Sequence, residues 1–338
     1  MDTGRLNPCF LALSESRELA SAVGRSAGLE LASLEERRFE GGEFKLRPLE
    51  SVRGRMAFVL QSLAGTAEAP VSDRFLRLLF LLHGLHDAGA TQRVALVPYM
   101  AFARKDRRTQ PRDPVNTRYV AQLLEASRLD HLIALDVHNP AALDNSFRRP
   151  VDHLTALPMM VDHFATRLSN DLAGETLAVV SPDVGGVKRV QIFREQLESR
   201  LGGEVELVFV EKRRVDGQVW GGTLVGEVAG RHVIVLDDLC ATGGTLIRAA
   251  EACRRAGAAA VHVAVTHAPL AEGIERLVSS DQIASVLITD SVGIRSPLST
   301  GKLVTLSVAP LFGEAVRRII AGKSLAPLLA RWPVGADE

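Results

Sequence analysis

Two adjacent acids precede a loop of small residues in the segment VLDDLCATGGT, residues 235–245. Asp237 and Asp238 end a hydrophobic run, and ionised carboxylates can accept hydrogen bonds from two neighbouring sugar hydroxyls. Glycines let backbone N–H groups approach an anion, and a helix N-terminus favours its negative charge. The segment therefore predicts a site that holds a sugar by its diol and its phosphate, beyond what a helix cap needs. The predicted phosphate contacts are Thr242, Gly243, Gly244 and Thr245.

Another acid follows a second hydrophobic run, in SPDVGG at 181–186. Asp183 offers a hard oxygen ligand beside glycines, which suits Mg²⁺ or a ribose hydroxyl. The alternative is an aspartate that caps a helix or starts a turn, because both are common roles of this residue type.

Basic and aromatic residues elsewhere are ambiguous on their own. The segment RKDRR at 104–108 suits a polyphosphate, which arginine binds with two parallel hydrogen bonds. Lys212–Arg214 precede the polar stretch VDGQ, and such a basic run is usually a solvated surface. A lone histidine such as His138 is more often a hydrogen-bonded structural residue than a ligand. By residue type alone, Phe39 is a core residue.

The composition excludes several classes of protein. A length of 338 residues predicts two domains, and 46% hydrophobic residues can fill two ordinary cores. Basic and acidic residues number 40 each, so the charge gives no support for a nucleic-acid partner. The 3 cysteines form no CxxC pair, which indicates a reducing compartment rather than disulfides or zinc. Without a signal peptide or a bilayer-length apolar run, the protein is predicted to be cytoplasmic.

Short apolar runs alternate with longer helical patterns along the chain. Continuous runs of valine, leucine and isoleucine are typical of parallel strands that are buried on both faces. Strands are predicted at 57–60, 94–97, 132–135, 177–180, 207–210, 233–236, 261–265 and 286–288. Helices are predicted at 73–87, 117–126 and 244–256, with one or two more between 312 and 330. This alternation predicts an α/β fold.

The two halves of the chain repeat one order of elements. AFVLQSL at 57–63 precedes a helix that ends in HDAGA and then the run RVALVPY. VIVLDDL at 233–239 precedes a helix that ends in RRAGA and then the run VHVAVTH. The shared Ala-Gly-Ala turn favours two copies of one α/β unit, with predicted domains at 1–155 and 156–338.

Seven segments in order resemble the ribose-phosphate diphosphokinase family, whose members are also called phosphoribosyl-diphosphate synthetases. They are FEGGEFKLRPLESVRG at 39–54, VPYMAFARKDRRTQPRDPV at 97–115, ALDVHNP at 134–140, VVSPDVGGVKR at 179–189, VEKRR at 210–214, the loop at 235–245 and THAPL at 266–270. The resemblance covers nearly the whole chain. It implies two tandem phosphoribosyltransferase-like domains, each a mostly parallel sheet flanked by helices. The N-terminal domain would bind the nucleotide and the C-terminal domain ribose 5-phosphate.

The resemblance also implies an activity and a set of site residues. The diphosphate of ATP would move to the anomeric hydroxyl of ribose 5-phosphate, with Mg²⁺ as cofactor and AMP as the leaving product. Lys212 and Arg214 would be catalytic residues on a mobile loop. The implied nucleotide contacts are Phe39, Glu43, Arg104, Lys105 and His138, and the implied ribose 5-phosphate contacts are Asp183, Asp237, Asp238 and the loop Thr242–Thr245. His138 and Asp183 would also contact the metal, and the family's hexamers of dimers imply a homo-oligomer.

Three positions depart from the family pattern. Ala241 stands where members usually carry an acid, Gly41 where they carry Asp or Asn, and Lys105 where they carry Gln. Two alternative functions therefore stay open: a phosphoribosyltransferase that uses preformed phosphoribosyl diphosphate, and a non-catalytic regulatory paralogue. The nucleotide-binding half argues against the first alternative, and retention of Lys212 and Arg214 argues against the second.

Overall fold

The computed structural model describes residues 7–171, 176–215, 218–293 and 301–329. These residues form two compact units that divide between Thr155 and Ala156. The first unit also includes Ser291–Gly293 and the described residues from Ser307 onward. The sequence placed everything after residue 155 in the second domain, whereas the C-terminal helix packs within the first unit.

The first unit is built on a five-stranded parallel sheet. Its strands, in spatial order, are β1 (Pro8–Ala12), β4 (Met56–Leu60), β5 (Gln92–Val97), β6 (His131–Leu135) and β7 (Val151–Leu154). A separate antiparallel hairpin consists of β2 (Leu34–Arg38) and β3 (Phe44–Pro48). The helices are α1 (Arg17–Ala27), α2 (Val71–Asp87), α3 (Asn116–Ala126), α4 (Pro140–Asp144) and α9 (Ala309–Ile320).

The second unit is built on a seven-stranded sheet in which only the pair β9–β10 is antiparallel. Its strands, in spatial order, are β10 (Gln218–Val225), β9 (Val205–Val215), β8 (Leu177–Ser181), β11 (His232–Leu239), β12 (Ala260–His267), β13 (Ser285–Thr289) and β14 (Leu303–Leu306). The helices are α5 (Leu157–Asp171), α6 (Val187–Leu201), α7 (Gly244–Arg255) and α8 (Ala271–Val278).

Burial explains why the strands read as continuous apolar runs. Every residue of β4, β8 and β13 is buried, because helices cover the sheets. All the predicted strands and helices fall on observed elements of the same type, and the predicted α/β fold class is confirmed. Within the described residues, none of the helices combines the length and apolar composition that crossing a bilayer requires.

The same turn connects the repeated elements in both units. The segments VRGR and VAGR lead into β4 and β11, with glycines 54 and 230 at φ 71° and 70°. Each of these glycines donates its N–H to the carbonyl of the Ala-Gly-Ala glycine, Gly89 or Gly257, at 2.9 Å. Those two glycines also have positive φ, 85° and 89°, a conformation that glycine adopts at no steric cost. The matching bonds support two copies of one unit.

Helix α9 packs closely on α1 within the first unit. A Cβ atom added at Gly313 would lie under 3.0 Å from the side chain of Ser26. The Arg317 guanidinium donates to the Ser26 carbonyl at the same contact. Glycine at 313 therefore allows the two helices to approach.

We expect Gly313→Ala to lower the melting temperature, because overpacking a well-packed contact costs roughly 1–3 kcal/mol. The matched control is Gly84→Ala in α2, since Gly84 is also helical and an added Cβ there meets nothing within 4 Å. The control should be neutral or stabilising, because alanine is the better helix former. Equal thermal-unfolding midpoints for the two variants would contradict the close α1–α9 contact.

Candidate active site

The acids of the predicted ribose site lie at one edge of the second sheet. Strands β8 and β11 are parallel neighbours, so their carboxyl ends meet at the same edge. Asp183 follows β8, and Asp237 and Asp238 lie at the end of β11. The topology thus brings Asp183 to the same edge as the pair Asp237 and Asp238, which lies more than 50 residues further along the chain.

One guanidinium bridges the paired acids. Arg189 Nη1, from the first turn of α6, lies 3.4 Å from Asp237 Oδ1 and 3.1 Å from Asp238 Oδ1. Asp238 is only 4% exposed, and its backbone N–H donates to Asp237 Oδ1 at 2.9 Å. Sequence reasoning missed Arg189, although the family-like segment at 179–189 ends on this residue.

The environment of Asp237 opposes its ionisation. Burial raises the pKa of Asp237 above its ordinary value, and the neighbouring Asp238 carboxyl raises it further. The Arg189 guanidinium lowers the pKa and partly offsets both effects. The Arg189 guanidinium therefore favours the ionised form of Asp237 against the effect of burial.

The loop after β11 is held by helix α8. Gly243 adopts φ +75° at the N-cap of α7, a left-handed conformation that favours glycine. A Cβ added at Gly273 of α8 would lie under 3.0 Å from the Ala241 carbonyl oxygen. Arg276, one turn further along α8, donates to the Thr242 carbonyl at 3.0 Å. The loop conformation thus depends on close backbone contact with α8.

The predicted phosphate-binding residues lie together at the amino end of α7. Thr242 is exposed, Gly243 is buried, and Gly244 and Thr245 are half-buried. Arg248 Nη2 donates to Thr245 Oγ1 at 3.4 Å from the next turn of the helix. Backbone donors, hydroxyls and a helix N-terminus are the groups that bind phosphate in proteins.

Asp183 caps a short 3₁₀ helix, Val184–Gly186. Its Oδ1 accepts from the Gly186 N–H at 3.3 Å, and Ser181 Oγ donates to the Asp183 carbonyl at 2.6 Å. The capping alternative considered from sequence is thus observed. A half-buried carboxylate at a strand end is also an oxygen ligand of the kind that Mg²⁺ prefers.

In the first unit, the basic segment after β5 is organised by one acid. Asp113 forms an ion pair with Lys105 and accepts from the N–H groups of Thr109 and Gln110, both at 2.9 Å. These hydrogen bonds, led by the one from Lys105, hold the pKa of Asp113 well below its usual range. The structure therefore places the Lys105 ammonium on Asp113, while Arg104 is exposed on the same segment.

The segment that carries His138 joins this basic segment. Asn139 Nδ2 donates to Asp106 Oδ2 at 2.5 Å, and Asn139 Oδ1 caps α4 by accepting from Ala142 N–H at 3.2 Å. His138 is exposed beside Asn139, after β6. Asp136, two residues earlier, has φ 37°, and such strained backbone is frequent at functional sites.

The β2–β3 hairpin carries the two residues predicted to contact adenine. Phe39 is 41% exposed rather than core, and the Arg37 guanidinium lies 4.8 Å from its ring centroid. Glu43 is exposed nearby, and its carbonyl accepts from the Phe39 N–H at 2.8 Å. The hairpin is tied to α2 by the ion pair of Arg38 with Asp73 at 2.7 Å.

The two predicted catalytic residues are placed only by their backbone. Lys212 and Arg214 belong to strand β9, and Arg214 is opposite Val219 of β10. Sequence reasoning expected a mobile loop, whereas the described backbone is paired as far as Val215. The side chains of Lys212 and Arg214, and all of residues 216–217, lie outside the described residues.

Paired acids at the end of a parallel strand, followed by a Gly-rich loop and a helix, define a phosphoribosyltransferase-type domain. Residues 151–293 match the phosphoribosyl transferase domain, and residues 9–127 match the N-terminal domain of ribose phosphate pyrophosphokinase. The chain belongs to the ribose-phosphate pyrophosphokinase family, which is a family of enzymes. The family and the tandem arrangement predicted from sequence are confirmed.

Full-length relatives agree with this family. The chain is 36% identical over 328 residues to a ribose-phosphate pyrophosphokinase of Caldanaerobacter subterraneus subsp. tengcongensis, covering 96% of both chains. It is 35% identical to one of Fusobacterium nucleatum, covering 92% of this chain and 94% of that one. The crystal structure of phosphoribosylpyrophosphate synthetase from Mycobacterium smegmatis aligns with a TM-score of 0.83 at 30% identity, covering 94% and 99%.

We expect Gly273→Ala to displace the loop at 240–245, because the new methyl group would overlap the Ala241 carbonyl. Amide hydrogen exchange of the loop, followed by mass spectrometry, should become faster than in the unaltered protein. Gly203→Ala is the control, since an added Cβ there meets nothing within 4 Å and the residue is in the same unit. Unchanged exchange in Gly273→Ala would show that α8 does not fix the loop.

Proposed function

We propose that the chain transfers the diphosphate of ATP to the anomeric hydroxyl of ribose 5-phosphate, and that it releases AMP. The observation that carries this proposal is the presence of both matched domains in one chain, at 9–127 and 151–293. A phosphoribosyl site alone would serve many transferases, but the N-terminal domain adds the second substrate, a nucleotide.

Ribose 5-phosphate is the ligand that fits the second unit. Its diol would donate to the Asp237 and Asp238 carboxyl groups, and the Arg189 guanidinium favours the ionised form of Asp237, which accepts hydrogen bonds more strongly. Its phosphate would accept from Thr242, Thr245 and the backbone N–H groups between them. The threonines and the helix N-terminus at Gly244 support this assignment, because they present donors on one side.

ATP is the proposed ligand of the first unit. The exposed ring of Phe39 would stack on the adenine, with Glu43 near its polar edge, and Arg104 and His138 would contact the phosphates. Lys105 is a weaker candidate, because its ammonium is paired with Asp113 and must leave that acid to reach a nucleotide. We propose that Lys105 mainly holds the basic segment in shape.

Mg²⁺ is the proposed cofactor, and the residues present fit it. Within the described parts of the chain, no group of three or more His, Cys, Asp or Glu side chains could hold a metal. Mg²⁺ needs no such cage, since it is usually bound through one or two carboxylates plus substrate phosphates. Asp183 would supply the carboxylate, and His138 would contribute only through its contact with the nucleotide. The bound ion would neutralise phosphate charge.

Catalysis by the protein would consist of positioning and charge neutralisation. The anomeric hydroxyl gives up its proton to solvent as its oxygen bonds to the β-phosphorus. The bond from that phosphorus to the bridging α–β oxygen breaks, and AMP departs with that oxygen. Lys212 and Arg214 would stabilise the charge that develops on the diphosphate and the leaving group. The chain is also expected to form a homo-oligomer, which sedimentation velocity would test.

A phosphoribosyltransferase activity is the second candidate, because Ala241 removes the acid that synthetases usually carry in the sugar loop. Phosphorus NMR of ATP, ribose 5-phosphate and Mg²⁺ with the purified protein distinguishes the two. If the protein is a synthetase, the signals of AMP and of a sugar diphosphate should appear together. Turnover only with a nucleobase and preformed phosphoribosyl diphosphate would show that the protein is a phosphoribosyltransferase instead.

Lys212→Ala and Arg214→Ala should each reduce kcat much more than they raise KM for ATP. Contacts that strengthen as charge develops act on the transition state, and loss of one such donor costs roughly 2.7–4 kcal/mol. Arg231→Ala is a suitable control, because it removes a cation from the same unit at the start of β11. Near-normal kcat in both variants would show that this basic run is a solvated surface.

Gly41 should weaken the discrimination between ATP and GTP. It lacks the side-chain acceptor that an Asp or Asn would offer to the adenine amine. Binding of guanine therefore leaves no side-chain acceptor at this position without a hydrogen-bond partner. Gly41 has φ +83° with nothing within 4 Å of an added Cβ, so space is open but the backbone is left-handed. Asn tolerates this region better than most residues, and Gly41→Asn should raise the ATP:GTP ratio of kcat/KM.

The control for this substitution is Gly42→Asn, which has φ +92° and equally open space. It carries the same backbone strain one residue further along the hairpin. A strong preference for ATP in the unaltered protein would show that another group reads the base. Equal ATP:GTP ratios of kcat/KM for Gly41→Asn and Gly42→Asn would show that position 41 does not read the base.

A further inference from the structure

Arg189 stands where a cation is electrostatically unfavourable. It lies in the first turn of α6, which contains no acid and also carries Lys188. The partial positive charge of a helix N-terminus repels cations, so a first turn normally favours Asp or Glu. A cation kept there needs partners elsewhere, and Arg189 has them in Asp237 and Asp238.

The geometry of the acids is matched to this one guanidinium. Consecutive residues of a strand point to opposite faces of the sheet, yet Asp237 and Asp238 both reach Arg189 Nη1. The Asp238 N–H donates to Asp237 Oδ1 at 2.9 Å, so the Asp237 carboxylate turns toward the backbone of the next residue. The two acceptors therefore lie side by side around a shared cation.

Removal of Arg189 would leave two neighbouring carboxylates without the cation that bridges them. Asp238 is buried and Asp237 is half-buried, so a second negative charge there is costly. With the guanidinium present, the pKa of Asp237 is already raised to about 8, and without it this acid would hold its proton to a higher pH still. A protonated carboxyl has a donor in place of an acceptor site, and it no longer matches a diol that donates from both hydroxyls.

We propose that Arg189 is a positioning residue for ribose 5-phosphate, which holds the Asp237 and Asp238 carboxyl groups side by side to accept from the sugar diol. This inference rests on the proposed function, because the diol is that of the proposed substrate. Arg189 acts through the two acids and need not touch the sugar. Its sequence separation from them, 48 and 49 residues, hides this role in the sequence.

The other groups around Asp237 constrain the expected pH dependence. Burial, followed by the charge of Asp237, raises the pKa of the Cys240 thiol to about 12, so this thiol stays neutral through the mild alkaline range. The guanidinium of Arg276 in α8 acts in the opposite direction and lowers the pKa of that thiol. His267, at the end of β12, accepts from the Cys240 N–H through its backbone carbonyl. The test must therefore distinguish an effect of the charge on Arg189 from an effect of the charge on the acid pair.

The test is isothermal titration of ribose 5-phosphate into the full chain at about pH 7 and about pH 9. We expect Arg189→Gln to bind about 10- to 100-fold more weakly at the lower pH, because the acids lose the cation that holds them side by side and favours the ionised form of Asp237. The folded-state pKa of the acid pair is raised in this variant, so its acceptors ionise and binding recovers as the pH rises. Arg189→Lys keeps the charge and should stay within about threefold of the unaltered protein at both pH values.

The matched control is Arg200→Gln on the same helix, whose exposed side chain pairs with Asp162 at 3.3 Å. It should bind ribose 5-phosphate normally, and ATP binding should be unchanged in every variant. Normal ribose 5-phosphate affinity in Arg189→Gln, or a loss that is equal at both pH values, would overturn the inference. If Arg189→Gln does not fold, a folded Arg189→Lys that loses more than about tenfold overturns it.

The outcomes separate this inference from the proposed function. If the unaltered protein binds ribose 5-phosphate but forms no sugar diphosphate from ATP, the proposed function fails and the titration still decides the role of Arg189. If the unaltered protein does not bind ribose 5-phosphate at all, both are wrong.

Discussion

The proposed sugar site depends on two carboxylates that are held side by side at the end of one buried strand. Strand β11 lies between β8 and β12, so its end is surrounded by other elements and its acids are partly withdrawn from water. Charges in such a place require a counter-charge, and Arg189 of α6 supplies it. The loop that follows must then turn tightly toward α7, which requires the left-handed Gly243 and the close approach of Gly273.

The first unit, which is the other copy of the repeat, lacks the paired acids at the corresponding position. Strand β4 of the first unit repeats β11, down to the turn that precedes it, but Gln61 and Ser62, which follow β4, stand where β11 has two acids. Both residues are buried and bonded to Ser16, whose Oγ donates to Gln61 Oε1 at 3.0 Å and accepts from Ser62 N–H at 2.9 Å. Neutral groups such as these need no counter-cation. The first copy therefore keeps the scaffold of a sugar site without its charges.

Much of this organisation could be predicted from the sequence, because the signals are local. Buried parallel strands appear as unbroken apolar runs, and the Ala-Gly-Ala turns mark both repeats. The loop that is proposed to bind the sugar could be identified because its acids, threonines and glycines lie close together from Asp237 to Thr245. The repeated turn segments VRGR and VAGR were also readable, and they would have strengthened the case for duplication.

The features that sequence reasoning missed are those set by long-range packing. The pairing of Arg189 with the acids spans the rest of α6, the β9–β10 hairpin and most of β11. Helix α9 has an ordinary amphipathic pattern, which does not specify the core that it joins, and it packs on α1. The exposure of Phe39 depends on the hairpin standing apart from the main sheet, because an aromatic residue in a strand-rich segment is usually buried.

The most direct measurement of the central claim follows the fate of individual phosphorus atoms. Two reactions with ribose 5-phosphate would use ATP radiolabelled at the β-phosphorus or at the γ-phosphorus. The account predicts that either label appears in the same sugar product, at equal rates, and that the nucleotide product is unlabelled AMP. Transfer of the γ-label alone, with the β-label retained in ADP, would contradict the account, because only a single phosphoryl group would then have moved.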